Sequence, residues 1–484
     1  MRKALLLIAI GYCTLLHAQV PIIDYSFQAL PPSIMINRVV EQPDGKILLA
    51  GAFQNYAGSG KNNLVRLNND GTVDPTFNPG GSGPSHIVHD LALMNDGRII
   101  IGGIFSAYNG QPSGFVLRLH ADGTRDAGFQ VPPNTINSAV LAVEVHVENK
   151  VLAAGEFNLC QGHSQPHITR FNYDGSLDTT FIIGSGFNMP VRDLLVLPDM
   201  RVLCTGDFWD YDGNTCGRIA LLSPGGPFDA SMTTTPGLTG TGARGLTLER
   251  QADGKILIGG RFTHHNGATR GGLSRMDITG ALDPLFTSPF YPYAEVRAIA
   301  EHVDGKIFVG GSFSSAMYSP NLPGPNNFLR LHADGSQDDA YPVGQGILPG
   351  AAATAFVDDI HVQADRKILV GGAFQFFDTE SQYQQIIRLM DEELSTGLHD
   401  HTTAPALHGH WDLSSGILHL ATVLDVQGPA TLQIHGMNGA FVAQQQVSPR
   451  IGDRITVPGE QVPGIYLVRL IQDDRVMTGR VLAR

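Results

Sequence analysis

Cysteine is scarce, positive charge is outnumbered, and no long apolar run occurs beyond the first twenty residues. Four cysteines are present, and Cys13 lies in the N-terminal leader. The remaining three, Cys160, Cys204 and Cys216, are an odd number and allow at most one disulfide. Cys204 with Cys216 is the expected pair, because both fall in one repeat; the alternative is three buried thiols. No C-x-x-C occurs, which excludes a zinc knuckle. Lys and Arg total 32 against 45 Asp and Glu, a formal charge of -13. That balance excludes a nucleic-acid partner, since phosphate binding needs a basic surface. No later run approaches the roughly 20 apolar residues that span a bilayer, so no transmembrane segment is expected in the mature chain. H-E-x-x-H, a nucleophile elbow, a P-loop and a dinucleotide fingerprint are all missing.

What is present begins with a leader. Arg2 and Lys3 precede the apolar run Ala4 to Ile10, and small Ala18 precedes Gln19. This is the plan of a signal peptide over residues 1–18, cleaved after Ala18.

The body of the chain repeats one sentence. DGKILLAGAF at Asp44 to Phe53 returns as DGRIIIGGIF, DGKILIGGRF and DGKIFVGGSF, and more loosely as ENKVLAAGEF, DMRVLCTGDF and DRKILVGGAF. The basic position is Lys46, Arg98, Lys150, Arg201, Lys255, Lys306 and Lys367, at spacings of 51 to 61 residues. Each copy reads as an extended apolar segment, a DG turn, a strand ending in G-x-F and a variable loop. A strand ending in Arg-Leu and a short D-x-x-F segment complete it. Asp-Gly between β-type runs marks a tight hairpin, so each unit is expected to be a four-stranded meander, the size of a propeller blade. The third-strand arginines are taken as Arg66, Arg118, Arg170, Arg218, Arg275, Arg330 and Arg388. The D-x-x-F aspartates number six: Asp74, Asp126, Asp178, Asp229, Asp283 and Asp338. The missing one stands at the other end, in DYSF at Asp24 to Phe27. An N-terminal strand completing the last blade removes exposed edges, so an all-β, seven-bladed propeller over residues 19–395 is expected.

This wording resembles the delta-60 repeat, a bacterial β-propeller family, over roughly residues 22 to 395. The resemblance implies a propeller and extracytoplasmic life, and no ligand or reaction.

Beyond the repeats, a His-rich linker (396–410) leads to a new alternating pattern over 411–484. Strands are expected around Ile417 to Val423, Ala430 to His435, Ile455 to Val457 and Ile465 to Leu470, forming a small β-sandwich. ATLQIHGMNGAFV, PGIYLVRL and GRVLAR resemble a type IX secretion sorting domain of type A, with Gly439, Gly464, Tyr466, Arg480 and Arg484 at the matching positions. The resemblance implies the type IX machinery as partner, export across a Gram-negative outer membrane, and removal of this domain.

A residue present in every copy is read as structural, because ligand sites depart from repeat symmetry. The basic residue, the Arg and the Asp are therefore expected to pair. The turns NNDGTVD and NYDGSLD, and the loop Asp210 to Asn214, hold oxygens that suit calcium, but they lack EF-hand spacing. Tight turns account for them, so no cofactor is expected and calcium is the alternative. Departures from the repeat are the candidate site. The loop after each G-x-F carries Tyr56, Tyr108, Tyr211 and His265, with Trp209 beside them and Tyr291 and Tyr293 further on. Exposed rings of this kind would stack on sugars or anchor a protein; the plainer reading is that they pin their own loops. Glu156, Asp207 and Arg261 occupy the middle of G-x-F, where other copies hold small or apolar residues. The first strands, expected to line a central channel, carry His89, Asp90, Arg192, Asp193, Arg297, Asp358 and Asp359, for which internal ion pairing is the plainer reading. The expected function is a secreted or cell-surface, non-enzymatic module binding a glycan or protein. The alternative is a glycan-active hydrolase or lyase using Glu156 and Asp207.

Overall fold

The structure is a computed structural model. It describes residues 23–29, 35–233, 235–291, 294–318, 324–341, 343–349, 354–378 and 384–391, and C-terminal strands between 408 and 483. Contacts divide the chain into Met1–Ser395 and Thr396–Arg484. The leader lies outside the described residues.

Seven copies of one antiparallel unit make up the first region. Their first strands are Met35–Glu41, Val88–Leu93, Val140–Val145, Val191–Val196, Arg244–Arg250, Glu295–Glu301 and Phe356–Val362. Each pairs with a second strand, which pairs with a third; repeats 5 and 6 are also joined where Arg261 meets Glu295. No α-helix occurs among the described residues. The fourth strand expected of each meander is reduced to a single bridge, such as Leu67 with Val73 and Leu119 with Arg125. The cause is local. Asp74 Oδ1 accepts from the backbone N–H of Thr76, and Phe77 N–H donates to the Asp74 carbonyl, so the chain curls before a ladder can extend.

The second strands are buried along nearly their whole length. This follows from their unbroken apolar runs, since a strand covered on both faces cannot alternate. All seven G-x-F phenylalanines are in the core, each contributing about 1.5–3 kcal/mol by burial. The glycine of that motif has a separate task. A Cβ on Gly51 would meet the Met35 carbonyl oxygen at 2.3 Å, and Gly103, Gly155, Gly206, Gly260, Gly311 and Gly372 face the same carbonyl in their own repeats at 2.1–2.3 Å. Opposite each glycine the first strand slips register by one residue, as between Ile36 and Arg38. The extra residue forms a β-bulge, which re-aims side chains.

An outer set of ion pairs locks each repeat. Asp74 binds Arg66 and Lys46, both at 2.8 Å. Asp178 binds Arg170 and Lys150 at 2.7 and 2.9 Å. The arginine lies over the phenylalanine of D-x-x-F and donates to a turn carbonyl of the following repeat, Arg66 to Ala121 and Arg170 to Pro224. Repeat 7 takes its aspartate from the N-terminus. Asp24 binds Arg388 at 2.8 Å and Lys367 at 3.3 Å, Ile23 bridges Leu389, and Arg388 reaches the Asn69 side-chain oxygen in repeat 1 at 2.7 Å.

Two expectations need correction. Arg218 is not the fourth copy of the third-strand arginine. Register places Leu221 opposite Leu203, where Arg66 stands opposite Leu48. Arg218 precedes the strand and donates instead to the carbonyls of Ala243 and Leu238 at 2.6 and 3.0 Å. Asp229, left with Arg201, is correspondingly more exposed than its counterparts. Nor do Cys204 and Cys216 form a disulfide: all three described cysteines are free and buried. Both sit with Phe187 and Phe208 in the apolar core of repeat 4, where burial pushes the Cys216 thiol up to about 12. They act as small apolar side chains.

In the C-terminal region, strands span His408–Asp412, Ile417–Thr422, Ala430–Gly436, Phe441–Val447, Arg454–Thr456, Gly464–Gln472 and Arg475–Ala483. The first begins inside the stretch read as a linker. Hydrogen bonds join all seven in one path, with His408–Asp412 parallel to Arg475–Ala483. The two separate sheets expected of a sandwich are not seen among the described residues. Gly464, Tyr466 and Arg480 lie on the last two strands, which pair Leu467 with Arg480; Gly439 and Arg484 lie outside the described residues.

Candidate binding site

The seven bulged residues are Asn37, His89, Leu141, Arg192, Leu246, Arg297 and Asp358, and all seven line one cavity of about 580 Å³. The bulge also turns the next residue inward, so Arg38, Asp90, Asp193 and Thr247 line the same space. Strict alternation would put neighbours on opposite faces; the glycine-backed bulge puts both on one. A signature glycine of the scaffold thereby supplies the walls of the site.

Charge fills this cavity unevenly. Arg38 contacts Asp90 at 2.7 Å and Asp359 at 3.2 Å, joining repeats 1, 2 and 7. Its side chain is 41% exposed, and it lines the cavity. Asp90, Asp193 and Asp359 each accept a backbone N–H from a first strand of another repeat, from Val143, Leu248 and Val39 at 2.6–2.8 Å. Arg244, Glu295, Arg297 and Asp358 form a chain of pairs at 2.7–3.0 Å, with Arg297 over the Phe356 ring. Burial pushes the carboxyls of Asp193 up to about 7 and Asp358 up to about 6. Burial likewise holds His89 below the usual imidazole range.

The residues expected to form an aromatic binding face divide sharply. Tyr56, Tyr108, Tyr211 and His265 are buried, Tyr56 being only 1% exposed. The Tyr211 hydroxyl donates to the Gly226 carbonyl at 2.7 Å, Tyr108 donates to the Gly123 carbonyl, and His265 Nδ1 meets Ser274 Oγ at 2.9 Å. Burial lowers the His265 imidazole to about 4. Tyr108 and Tyr211 pin their loops to the turn beneath, His265 ties its loop to the third strand, and Tyr56 packs edge-on against Phe53 in the core, so the four are corrected from ligand contacts to loop anchors. Tyr211→Phe is expected to cost about 1–2 kcal/mol by leaving a buried carbonyl unpaired, read as a lower urea midpoint. It should leave any ligand affinity unchanged.

Trp209 and Tyr291 are exposed, at 52% and 54%; Tyr293 lies outside the described residues. Glu156 is exposed and lines the cavity; its backbone N–H donates to the Ala139 carbonyl at 2.9 Å, and its carboxylate makes no hydrogen bond among the described residues. Asp207 is held by Arg192 through two parallel bonds, at 2.8 and 2.7 Å. That fork occupies both of its oxygens. Arg261 is exposed and does not line the cavity. Sequence reasoning missed Arg38, Arg244 and Glu295, although each occurs in one repeat only.

The turns considered for calcium close on themselves. Asp70 Oδ1 accepts from the Thr72 amide and hydroxyl, and Asp174 Oδ1 from those of Ser176. Asp210 Oδ1 accepts from Gly213 N–H. Among the described residues no three His, Cys, Asp or Glu side chains converge as a metal site requires.

Five segments, residues 42–77, 95–129, 149–181, 251–286 and 304–341, match the family described as "Domain of unknown function (DUF5122) beta-propeller". They fall in repeats 1, 2, 3, 5 and 6; of the two left unmatched, repeat 4 lacks the third-strand arginine and repeat 7 takes its aspartate from the N-terminus. Among curated proteins none matches. Similar solved structures include a structural genomics protein of unknown function from Bacteroides thetaiotaomicron VPI-5482, at 11% identity and a TM-score of 0.36, covering 74% of this chain and 69% of that one. The Neurospora crassa Pan2 WD40 domain aligns at 11% identity and a TM-score of 0.35, over 74% of this chain and 89% of that one. The chain carries a repeat β-propeller, a fold that generally serves as an interaction module. No helix of the described residues is long and apolar enough to cross a membrane.

Proposed function

We propose that the seven repeats close as a seven-bladed propeller, shut by the N-terminal segment, and that it is an exported module binding a glycan or protein at the surface of a Gram-negative cell. Closure is supported by Asp24 repeating in repeat 7 the contacts that Asp74 makes in repeat 1, and by seven bulges meeting at one cavity. Export rests on the leader and on the sorting-domain wording of residues 411–484, whose resemblance implies the type IX route and removal of that domain.

The observation that carries the binding function is the cavity. Its walls are the positions where the repeats disagree, and a scaffold role alone would favour one residue type at every copy. The test is to screen the full chain against a glycan array and a displayed random-peptide library. A ligand lost on Arg297→Ala supports the reading. No enrichment in either screen, or a ligand indifferent to Arg297→Ala, overturns it. The hydrolase reading is weaker, because Arg192 occupies both oxygens of Asp207 and leaves Glu156 without a free carboxylate partner there.

A further inference from the structure

The cavity holds four arginines, Arg38, Arg192, Arg244 and Arg297, against five carboxylates, Asp90, Glu156, Asp193, Glu295 and Asp358. Two of those arginines are shared with acids behind the wall: Arg38 with Asp359, and Arg192 with Asp207. The space is therefore under-neutralised. Two carboxylates have capacity left. Asp358 Oδ1 meets Arg297, while its Oδ2 is buried with no partner. The exposed Glu156 carboxylate makes no hydrogen bond among the described residues. A buried carboxylate oxygen without a donor is costly, and a cation in the cavity would supply one.

The surroundings suit a polypeptide. Leu159, Met189 and Trp209 are exposed, and each lies within three residues of Glu156, Arg192 or Asp207 in sequence. Asn188 Oδ1 accepts the Trp209 N–H at 3.1 Å, which places Met189 next to the indole's own backbone. Large exposed apolar side chains on the loops next in sequence to these charged residues match a segment that carries a cation next to an apolar residue. A neutral glycan would leave the charge unbalanced.

Resting on the reading of this cavity as the binding site, we infer that it receives an arginine or lysine side chain from a partner protein, with Glu156 and Asp358 as its acceptors and the partner's neighbouring apolar residue resting on Trp209 and Met189. The cation enters the cavity that both line, forming charge-assisted bonds to the Glu156 carboxylate and to Asp358 Oδ2.

The test is calorimetric titration of the full chain with the blocked tripeptide acetyl-Leu-Arg-Leu-amide and its citrulline counterpart, which keeps the shape and removes the charge. The arginyl peptide should bind at least tenfold tighter than the citrulline peptide. Glu156→Gln and Asp358→Asn should each weaken it at least tenfold, and Trp209→Ala should weaken both peptides alike. Glu156 and Trp209 are exposed, so those variants keep the fold even if Asp358→Asn does not. Equal binding of the two peptides, or none of the arginyl peptide, overturns the inference. If a neutral glycan from the array binds and needs Arg297 while the arginyl peptide does not bind, the interaction-module reading stands and this one falls.

Discussion

Asp24→Ala should destabilise the chain by about 3–5 kcal/mol, the usual cost of removing one member of a buried ion pair. Burial alone would raise the Asp24 carboxyl, but the Arg388 guanidinium, the Ser26 hydroxyl and Lys367 overcome that and hold it below its ordinary range. Without Asp24 the Arg388 side chain keeps its bonds to Asn69 and its stack on Phe27 and loses its counter-charge. The control is Asp74→Ala, which breaks the same geometry inside repeat 1. The two variants should lose similar stability in urea titrations, although Asp24 is 364 residues from its partner and Asp74 only 8. The double variant Asp24→Ala/Arg388→Leu should recover part of the loss, because an apolar replacement of both partners leaves no unpaired charge. An Asp24→Ala variant within about 0.5 kcal/mol of the parent, the scatter of ordinary surface changes, would remove the seam from the account.

The second large effect is on the dependence of stability on pH, and it has the opposite sign at the two sites. The outer aspartates Asp24, Asp74, Asp126, Asp178, Asp229, Asp283 and Asp338 all lie below the ordinary range: burial works against each, and the hydrogen bonds and cations around it outweigh burial. Their stabilisation is present above the unfolded value near 3.8 and lost as pH falls through the folded values. The inner carboxylates act in reverse. Burial pushes Glu144 and Glu249 up to about 7, with Asp90 adding to the shift at Glu144, and Glu301 and Asp359 adding to it at Glu249. Between the ordinary value near 4.5 and about 7, the unfolded chain has released a proton that the folded chain keeps. Stability therefore falls as pH rises through that window and stays low above it. Maximum stability is expected near pH 5. Glu144→Gln and Glu249→Gln should each raise stability at pH 8 by about 2 kcal/mol, using about 1.4 kcal/mol per unit and discounting for solvent screening. They should change little at pH 5. Urea midpoints at the two pH values decide it, and equal stability of the parent and either glutamine variant at pH 8 would contradict it.

Much of the frame was legible in the sequence, because its causes are local. Asp-Gly turns, apolar runs and the paired Arg and Asp recur at fixed offsets, and the DYSF segment supplied the partner that Arg388 lacks. Three features were hidden, each for a physical reason. The aromatic residues after G-x-F looked like a face, but a two-residue hairpin such as Asp210–Tyr211 with Asn214–Thr215 turns the ring inward. The Gly226 carbonyl that receives Tyr211 is distant in pattern. Arg218 matched the third-strand arginine by spelling, whereas strand register selects Leu221. The cavity depends on a bulge, which breaks the alternation that sequence patterns assume. Its signal was present as the glycine of G-x-F, needed in every copy because the first-strand carbonyl lies where a Cβ would sit.

Closure of the ring is the claim on which the cavity depends, since all seven bulges must face one axis. Hydrogen exchange tests it directly. The Asp24 amide donates to the Arg388 carbonyl at 2.9 Å, as the Asp74 amide donates to that of Arg66 at 2.9 Å. The account predicts that the peptide carrying Asp24 to Phe27 exchanges as slowly as the one carrying Asp74 to Phe77. Exchange of the first within seconds, while the second stays protected, would contradict it.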